Sequence, residues 1–296
     1  MAQGWRRVPI DALRDAIANG GLVLVVQEKV RLSDGAPAGF EALVRWPSSA
    51  AINGGVPFAP DAFVRAAEMS GLAGELGAWV VREACSILAR WLATEDGRTL
   101  ARFVGDGLLS VNASAWELDD PSWGHRFLAA ASAAGVPCSL LEVEVTETGR
   151  DDGDDVPAAA VANLELVSSA GVGVALDDFG IRHSSVPRLR HLPVSVVKVD
   201  RSFVSRLDGV GPAAERDTEI LRWIIGLRGL CDGVRVVVEG IETERQASLI
   251  RAMGADVGQG YLWSRPGDPD AALASAAKRL RAVDLTAVTT RDSVVA

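Results

Sequence analysis

A (β/α)₈ barrel is the fold that the sequence predicts, for two reasons. Eight short apolar runs, most of them followed by a helical pattern, alternate along the 296 residues, and no break in composition separates two domains. The runs are rich in small and β-branched residues, as buried parallel strands are. Regular alternation of strands and helices is typical of an α/β fold with a parallel sheet. A doubly wound open sheet is the structural alternative.

The elements follow one another in a regular order. Predicted strands lie at 22–26, 39–44, 108–111, 140–145, 172–176, 194–197, 234–238 and 256–258. Apolar residues at a spacing of three and four predict helices at 11–19, 61–69, 75–93, 123–134, 158–170, 218–230, 244–253 and 270–283. Only a dozen residues with a turn and no helix join the first two strands. One of these strands is therefore predicted to run antiparallel to its neighbour.

Composition limits the domain organisation and the partners. We expect residues 1–9 to be an irregular lead-in, 10–284 a single barrel domain and 285–296 a C-terminal tail. A net charge of −9 argues against general attraction to nucleic-acid polymers or anionic membranes, and no apolar run is long enough to span a bilayer. Three isolated cysteines argue against disulfides or a zinc site and favour a cytoplasmic protein.

Polar side chains stand at or near the ends of most predicted strands. Asp177 and Asp178 end the run that begins at Val172, and alone they fit either a site or a solvated turn before Gly180. The other strands carry Gln27, Glu41, Asn112, Glu144, Lys198, Glu239 and Gln259. In a barrel these side chains converge on one rim, where ionised carboxylates require cations. All-oxygen ligands select Mg²⁺ or Mn²⁺, and their number favours two ions.

The same residues form motifs that resemble a known family, the EAL-domain cyclic di-GMP phosphodiesterases. The signature triplet is Glu41-Ala42-Leu43. Matching blocks follow in the family's order: Ser110-Val111-Asn112-Ala113-Ser114, Glu144-Val145-Thr146-Glu147, Leu176-Asp177-Asp178-Phe179-Gly180, Val197-Lys198-Val199-Asp200, Val238-Glu239-Gly240-Ile241-Glu242-Thr243 and Gln259-Gly260-Tyr261. The resemblance covers about residues 10–270. It implies bacterial signalling by metal-dependent hydrolysis of cyclic di-GMP to linear pGpG.

The resemblance also implies a role for each site residue. The metal ligands would be Glu41, Asn112, Glu144, Asp177, Asp178 and Glu239, with Asp178 on the second ion. The catalytic residues would be Lys198, Glu239 and Glu41, with Lys198 orienting or helping to deprotonate the attacking water. The substrate-binding residues would be Gln27, Leu43, Arg45 and Gln259. Glu147 would anchor the loop after the Asp177-Asp178 pair.

That loop is where the sequence departs from the family pattern. Ile181-Arg182-His183 stands where a glycine and a tyrosine usually follow a small residue, and Glu28 replaces a usual proline. In the family this loop links metal binding to a homodimer interface. An alternative is therefore a catalytically weak or inactive EAL domain that acts as a cyclic di-GMP receptor or interaction module. A barrel glycosidase with two carboxylates is a third reading, but it leaves Asn112 and Lys198 unexplained.

Overall fold

The computed structural model describes residues 8–146, 156–180, 189–207, 209, 211–229 and 233–292. Eight strands form a closed barrel in sequential order. Their bounds are β1 Val23–Arg31, β2 Pro37–Arg45, β3 Leu109–Ala113, β4 Leu141–Thr146, β5 Gly173–Phe179, β6 Val196–Val199, β7 Arg235–Val238 and β8 Val257–Gln259. The predicted barrel is confirmed.

Strand direction differs only at the start of the chain. β1 pairs antiparallel with both β2 and β8, and every other neighbouring pair is parallel. The short hairpin between β1 and β2 leaves no room for a crossover helix, so the predicted antiparallel strand is confirmed as β1. β1 also continues to Arg31, so Gln27 lies in the middle of its strand and not at its end.

Helices surround the barrel on its outer side. Their bounds are α1 Ile10–Asn19, α2 Pro60–Ser70, α3 Ala73–Ala93, α4 Glu95–Val104, α5 Ala115–Leu118, α6 Trp123–Ala133, α7 Ala158–Ser169, α8 Arg201–Val204, α9 Pro212–Gly226, α10 Glu244–Met253 and α11 Pro269–Asp292. The sequence did not predict α4, and α11 extends into the segment predicted as a tail. Among the described residues, no helix has both the length and the apolarity needed to cross a bilayer.

Local sequence explains where several helices begin and end. The Thr243 side chain accepts from the Gln246 backbone N–H, and Gln246 returns the bond, which forms a capping box at the start of α10. Thr94 caps α4 by accepting from the Gly97 N–H directly after α3 ends, and this close junction hides α4 from a periodicity search. Gly254 ends α10 at a φ of 91°, which favours glycine.

β4 buries its apolar side chains outward and its acidic side chains inward. In β4, Val143 and Val145 belong to the apolar core between the strands and the helices. Because side chains alternate along a strand, Glu142 and Glu144 face the barrel interior, where they are almost completely buried. Lys29 on β1 and Lys198 on β6 are equally buried. The barrel interior is therefore charged, and it leads up to the rim that carries the candidate site.

Candidate active site

The ammonium group of Lys198 lies at the centre of the site. It is 2.6 Å from Glu144 Oε2 and 2.7 Å from Glu239 Oε1. Asp177 Oδ1 is 3.2 Å away and Glu41 Oε1 is 3.8 Å away. The four carboxylates come from four different strands or strand ends, as the predicted convergence requires, and a buried cluster of this charge needs a cation at its centre.

A second buried ammonium lies below the first, deeper in the barrel. Lys29 Nζ donates to Glu142 Oε1 at 2.8 Å, to Ser110 Oγ at 3.1 Å and to Glu144 Oε1 at 3.4 Å. Glu144 therefore bridges Lys29 and Lys198. No role was predicted for Lys29 or Glu142 from the sequence. The signal that could have found them is their inward position, two residues from Gln27 and from Glu144 respectively.

Two amide side chains orient Glu41 at the rim. Asn112 Nδ2 donates to Glu41 Oε1 at 3.1 Å, and Gln259 Nε2 donates to Glu41 Oε2 at 2.7 Å. Gln259 Nε2 also reaches Gln27 Oε1 at 3.3 Å, and Gln27 Nε2 donates to the Ser264 carbonyl. Gln259 Oε1 is buried without a protein hydrogen-bond donor. An orphaned acceptor of this kind is expected where a water or an ion belongs.

The carboxylates at this site have widely different pKa values. Burial raises the pKa of Glu239 to about 8 and that of Glu41 to about 7, although Lys198 acts in the opposite direction. Burial also raises the pKa of Asp177. Burial acts on Glu144 too, but Lys198 and Lys29 together outweigh it and lower its pKa to about 2. Burial opposes the charge of Lys198, but the surrounding carboxylates raise its pKa well above the usual value.

Asp178 has an unusual backbone conformation. Its φ is 55°, and within the described chain it is the only residue other than glycine with a positive φ. The pairing of β5 with β6 is irregular between Leu176 and Phe179, so the Asp177-Asp178 pair lies at a break in the ladder. The Asp178 N–H donates to Asp177 Oδ1 at 2.9 Å. A strained residue at a strand end is typical of functional sites, which favours the site over the turn.

The proposed substrate-binding residues lie on β1, β2 and β8. Leu43 and Arg45 follow Glu41 at a spacing of two, so they share its face of β2, and both are half-buried. Burial lowers the pKa of Arg45, while Glu41 and Tyr261 are close enough to raise it. Tyr261 in turn lies under the Arg265 guanidinium, 4.0 Å from the ring centroid. Glu147 and the divergent residues 181–183 lie outside the described residues.

Glu28, which replaces the usual proline, has a partner that proline could not have. Its side chain is buried on the outer face of β1, where Arg279 of α11 approaches Glu28 Oε1 at 3.1 Å. The Glu28 N–H donates to Ser264 Oγ at 3.2 Å. A proline here would remove both interactions. The departure therefore attaches the last helix to the barrel and does not alter the site.

The donor set fits a hard divalent cation. The ion-pair partners of Lys198 are carboxylate oxygens, and the amide side chains of Asn112 and Gln259, the latter with its orphaned Oε1, contact Glu41 beside them. Oxygen donors of this kind are those that Mg²⁺ and Mn²⁺ prefer. Among the described residues, no three His, Cys, Asp or Glu side chains already enclose a point for an ion. In this structure Lys198 supplies the positive charge among these carboxylates.

Comparison with known proteins agrees with the motifs. A family model described as EAL domain matches residues 10–266. The cyclic di-GMP phosphodiesterase NbdA of Pseudomonas aeruginosa is 35% identical over 259 residues, which cover 86% of this chain and 30% of that protein. The cyclic di-GMP phosphodiesterase PA2567 of the same organism is 36% identical over 255 residues, covering 84% of this chain and 39% of that protein. The chain thus spans less than half the length of these two relatives.

Solved structures share the fold. The PaMucR phosphodiesterase in its c-di-GMP complex has a TM-score of 0.72 and 32% identity, covering 88% of this chain and 98% of that chain. The EAL enzyme Bd1971, bound to cAMP and cyclic-di-GMP, has a TM-score of 0.78 and 27% identity, covering 89% of this chain and 66% of that chain. With the family model matching most of its length, this chain belongs to the EAL domain family.

Proposed function

We propose that this protein hydrolyses cyclic di-GMP to linear pGpG in the bacterial cytoplasm. The observation that carries the proposal is the convergence of Glu41, Glu144, Asp177 and Glu239 on the buried Lys198 ammonium. Relatives named cyclic di-GMP phosphodiesterases support the substrate. Every metal-binding and catalytic residue type that the resemblance implies is present in the sequence, which favours an enzyme over a receptor.

Divalent cations are part of this proposal. Glu41, Asn112, Glu144, Asp177 and Glu239 would hold one Mg²⁺ or Mn²⁺ ion, and Asp178 would contribute to a second. Such ions would neutralise charge on the phosphate oxygens and would lower the pKa of a bound water molecule towards neutral pH. They also explain how a protein with a net charge of −9 binds a dianionic substrate.

The chain's own residues bind the substrate and orient the water. Arg45, Leu43 and Gln27 would contact the phosphate or the guanine base at the rim. Lys198 keeps its proton because four carboxylates surround it, so it acts as a hydrogen-bond donor that positions the attacking water. Water adds to phosphorus and one P–O3′ bond breaks, which leaves a free 3′ hydroxyl and a 5′ phosphate. Gln259 would accept from the water network through Oε1.

Product analysis tests the proposal. Purified protein is incubated with cyclic di-GMP and Mn²⁺ or Mg²⁺, and pGpG is followed by chromatography while binding is measured by calorimetry. Glu41→Gln should abolish hydrolysis, and Glu75→Gln, on the exposed side of α3, is the matched control. Binding without product in the wild type would establish the receptor alternative. Unchanged turnover in Glu41→Gln would refute the assignment of the site.

The divergent loop adds two further expectations. The combined change of Arg182→Gly and His183→Tyr restores the family's usual residues, and it should raise turnover if this loop limits activity. Homodimerisation through the loop after Asp178 is also part of the proposal. Light scattering on the wild type and on this double variant would measure it. A monomer in both, at all protein concentrations, would refute the dimer.

A further inference from the structure

A cavity of about 480 Å³ lies at the N-terminal end of the barrel, opposite the active site. Its walls are the ends of strands and helices that lead into the barrel, including Arg31 at the end of β1, Pro37 at the start of β2 and Val257 at the start of β8. Among the residues that the structure describes, four arginines line it: Arg31, Arg228, Arg235 and Arg251. Nothing in the proposed hydrolysis uses this cavity.

Its walls are basic in an otherwise acidic protein. Asp256 is the one carboxylate among the described lining residues, and it pairs with Arg228 at 3.2 Å. Two acids beside the lining residues also contribute. Asp34 pairs with Arg31 at 2.6 Å, and Glu142, buried in the barrel interior, lies 3.5 Å from Arg235. Even when these two acids are counted, the guanidinium groups outnumber the carboxylates among the described residues around the cavity.

Arg251 pairs with none of these three acids. It lies on the exposed side of α10 near the end of the helix, and within the described part of the chain it forms no ion pair. Arg235 is also incompletely satisfied, since its distance to Glu142 is longer than a good charge-assisted hydrogen bond. Two guanidinium groups therefore remain available to an anion inside one concave surface.

The chemistry of the walls suits phosphate. Planar guanidinium groups bind phosphate oxygens through two parallel hydrogen bonds, which a lone lysine cannot do. The Phe103 ring, which lies 5.0 Å from the Arg31 guanidinium, adds an apolar surface to the same cavity. A volume of about 480 Å³ is that of a small-molecule site and is too small for a polymer.

We propose that this cavity is a binding site for a phosphate-bearing small molecule of up to mononucleotide size. The ligand phosphate would contact Arg251 and Arg235, and the Phe103 face would accommodate an organic group attached to it. The site is separate from the rim, so this proposal stands independently of cyclic di-GMP hydrolysis.

Calorimetry in EDTA at low ionic strength tests the site, since chelation prevents anions from binding through a metal at the rim. The probes are inorganic phosphate, pyrophosphate, AMP and adenosine. Pyrophosphate and AMP should bind and adenosine should not. If AMP binds more tightly than inorganic phosphate, the organic group contributes; if both bind equally, the site recognises the phosphate alone. Both results support an anion site, and no binding of any phosphate overturns it.

Variants locate the binding. Arg251→Gln should weaken pyrophosphate binding by about tenfold or more, and Arg251→Lys, which keeps the charge but loses the fork, should lie between it and the wild type. Arg14 is an exposed arginine on the surface of α1, away from the cavity lining. The control variant Arg14→Gln should therefore bind pyrophosphate as the wild type does. Arg235→Gln is a second cavity variant that should also weaken pyrophosphate binding, and thermal unfolding checks that each variant is folded. Equal binding by the wild type and both cavity variants would overturn the proposal.

Discussion

Glu144 and Glu239 contact the same Lys198 ammonium at nearly equal distances, 2.6 and 2.7 Å, and yet their pKa values move in opposite directions. Both are buried, which disfavours the charged form of each. Lys29 also donates to Glu144 and not to Glu239, and the carboxylates of Asp177 and Glu41 further disfavour the charge of Glu239. Glu144 is therefore an anion at neutral pH, whereas Glu239, like Glu41, changes its charge near neutral pH.

The first prediction concerns the stability of the metal-free protein as a function of pH. Glu41 and Glu239 have folded pKa values of about 7 and about 8, above the usual 4.5, so the folded protein holds more protons than the unfolded chain in this window. Stability should therefore fall as the pH rises from about 5 to about 8. Glu144 acts oppositely, since its contribution is present above pH 4.5 and is lost as the pH falls towards about 2.

Urea unfolding in EDTA across this pH range measures the effect, and the same series with Mn²⁺ is the control. Bound ions should hold the carboxylates ionised and flatten the profile. A metal-free stability that does not change between about pH 5 and about pH 8 would contradict the assigned pKa shifts.

A second prediction is that Lys198→Met destabilises the metal-free protein and increases its dependence on metal. Removing the ammonium leaves Glu41, Asp177 and Glu239 without a buried cation and leaves Glu144 with Lys29 alone, a change that typically costs about 3–5 kcal/mol. Added Mn²⁺ should raise the melting temperature of the variant more than that of the wild type. Hydrolysis should fall about a hundredfold or more even when the metal is saturating, because the water loses its donor.

Circular dichroism melts with and without Mn²⁺ separate the two effects. Lys278→Met, which removes a lysine from the outer helix α11, is the control. An equal response of Lys198→Met and the wild type to Mn²⁺ would mean that the carboxylates near Lys198 do not bind the ion.

A third prediction concerns the pair below the site. Lys29→Met should cost about 3–5 kcal/mol of unfolding free energy, because Glu142 and Glu144 both lose a buried partner. The double variant of Lys29→Met with Glu142→Leu should recover part of this loss, because one orphaned carboxylate is removed. Chemical denaturation measures both variants. A double variant that is less stable than Lys29→Met alone would show that the unpaired Glu142 is not the main cause of the lost unfolding free energy.

The attachment of the last helix gives a fourth prediction. Arg279→Met leaves Glu28 buried without its cation and should lower the unfolding free energy by about 2–3 kcal/mol. Burial already raises the pKa of Glu28 against the effect of Arg279, so losing the arginine raises it further. Adding Glu28→Gln should restore most of the stability, because the neutral amide needs no partner charge. Hydrogen exchange of α11 would show whether the loss is local.

Much of this structure can be predicted from the sequence, because strand-end acids and alternation of apolar runs are local signals. Asn112, Glu144 and Glu239 were placed at the rim by position alone. The closed barrel and the antiparallel β1 follow from connection length. The extent of β1 could not be predicted, because Glu28 and Lys29 do not look like residues of a buried strand. Their burial depends on partners far away in the sequence, Arg279 and Glu142.

The role of Lys198 at the centre of the cluster was also only partly predictable. A lysine after a strand indicates a site residue, but only the three-dimensional arrangement shows four carboxylates around its ammonium. The short spacing between α3 and α4 likewise hides a helix boundary that depends on the Thr94 cap. Residues 181–183, where the sequence departs from the family pattern, fall outside the described residues, and their effect on turnover stays a prediction.

The charges inside the barrel also bear on how the chain finds its pairing during folding. A shift of β1 by one residue would turn Glu28 inward beside Glu142 and Glu144, and would turn Lys29 outward to face Arg279. Glu28 would then lose Arg279 and lie beside carboxylates, and Lys29 would lose Glu142 and lie beside a guanidinium, so like charges would meet on both faces. Because β1 pairs with both β2 and β8, the shift would disturb the pairing on both of its sides. The buried ion pairs of Glu28 and Lys29 therefore favour the observed register of β1 over a register shifted by one residue.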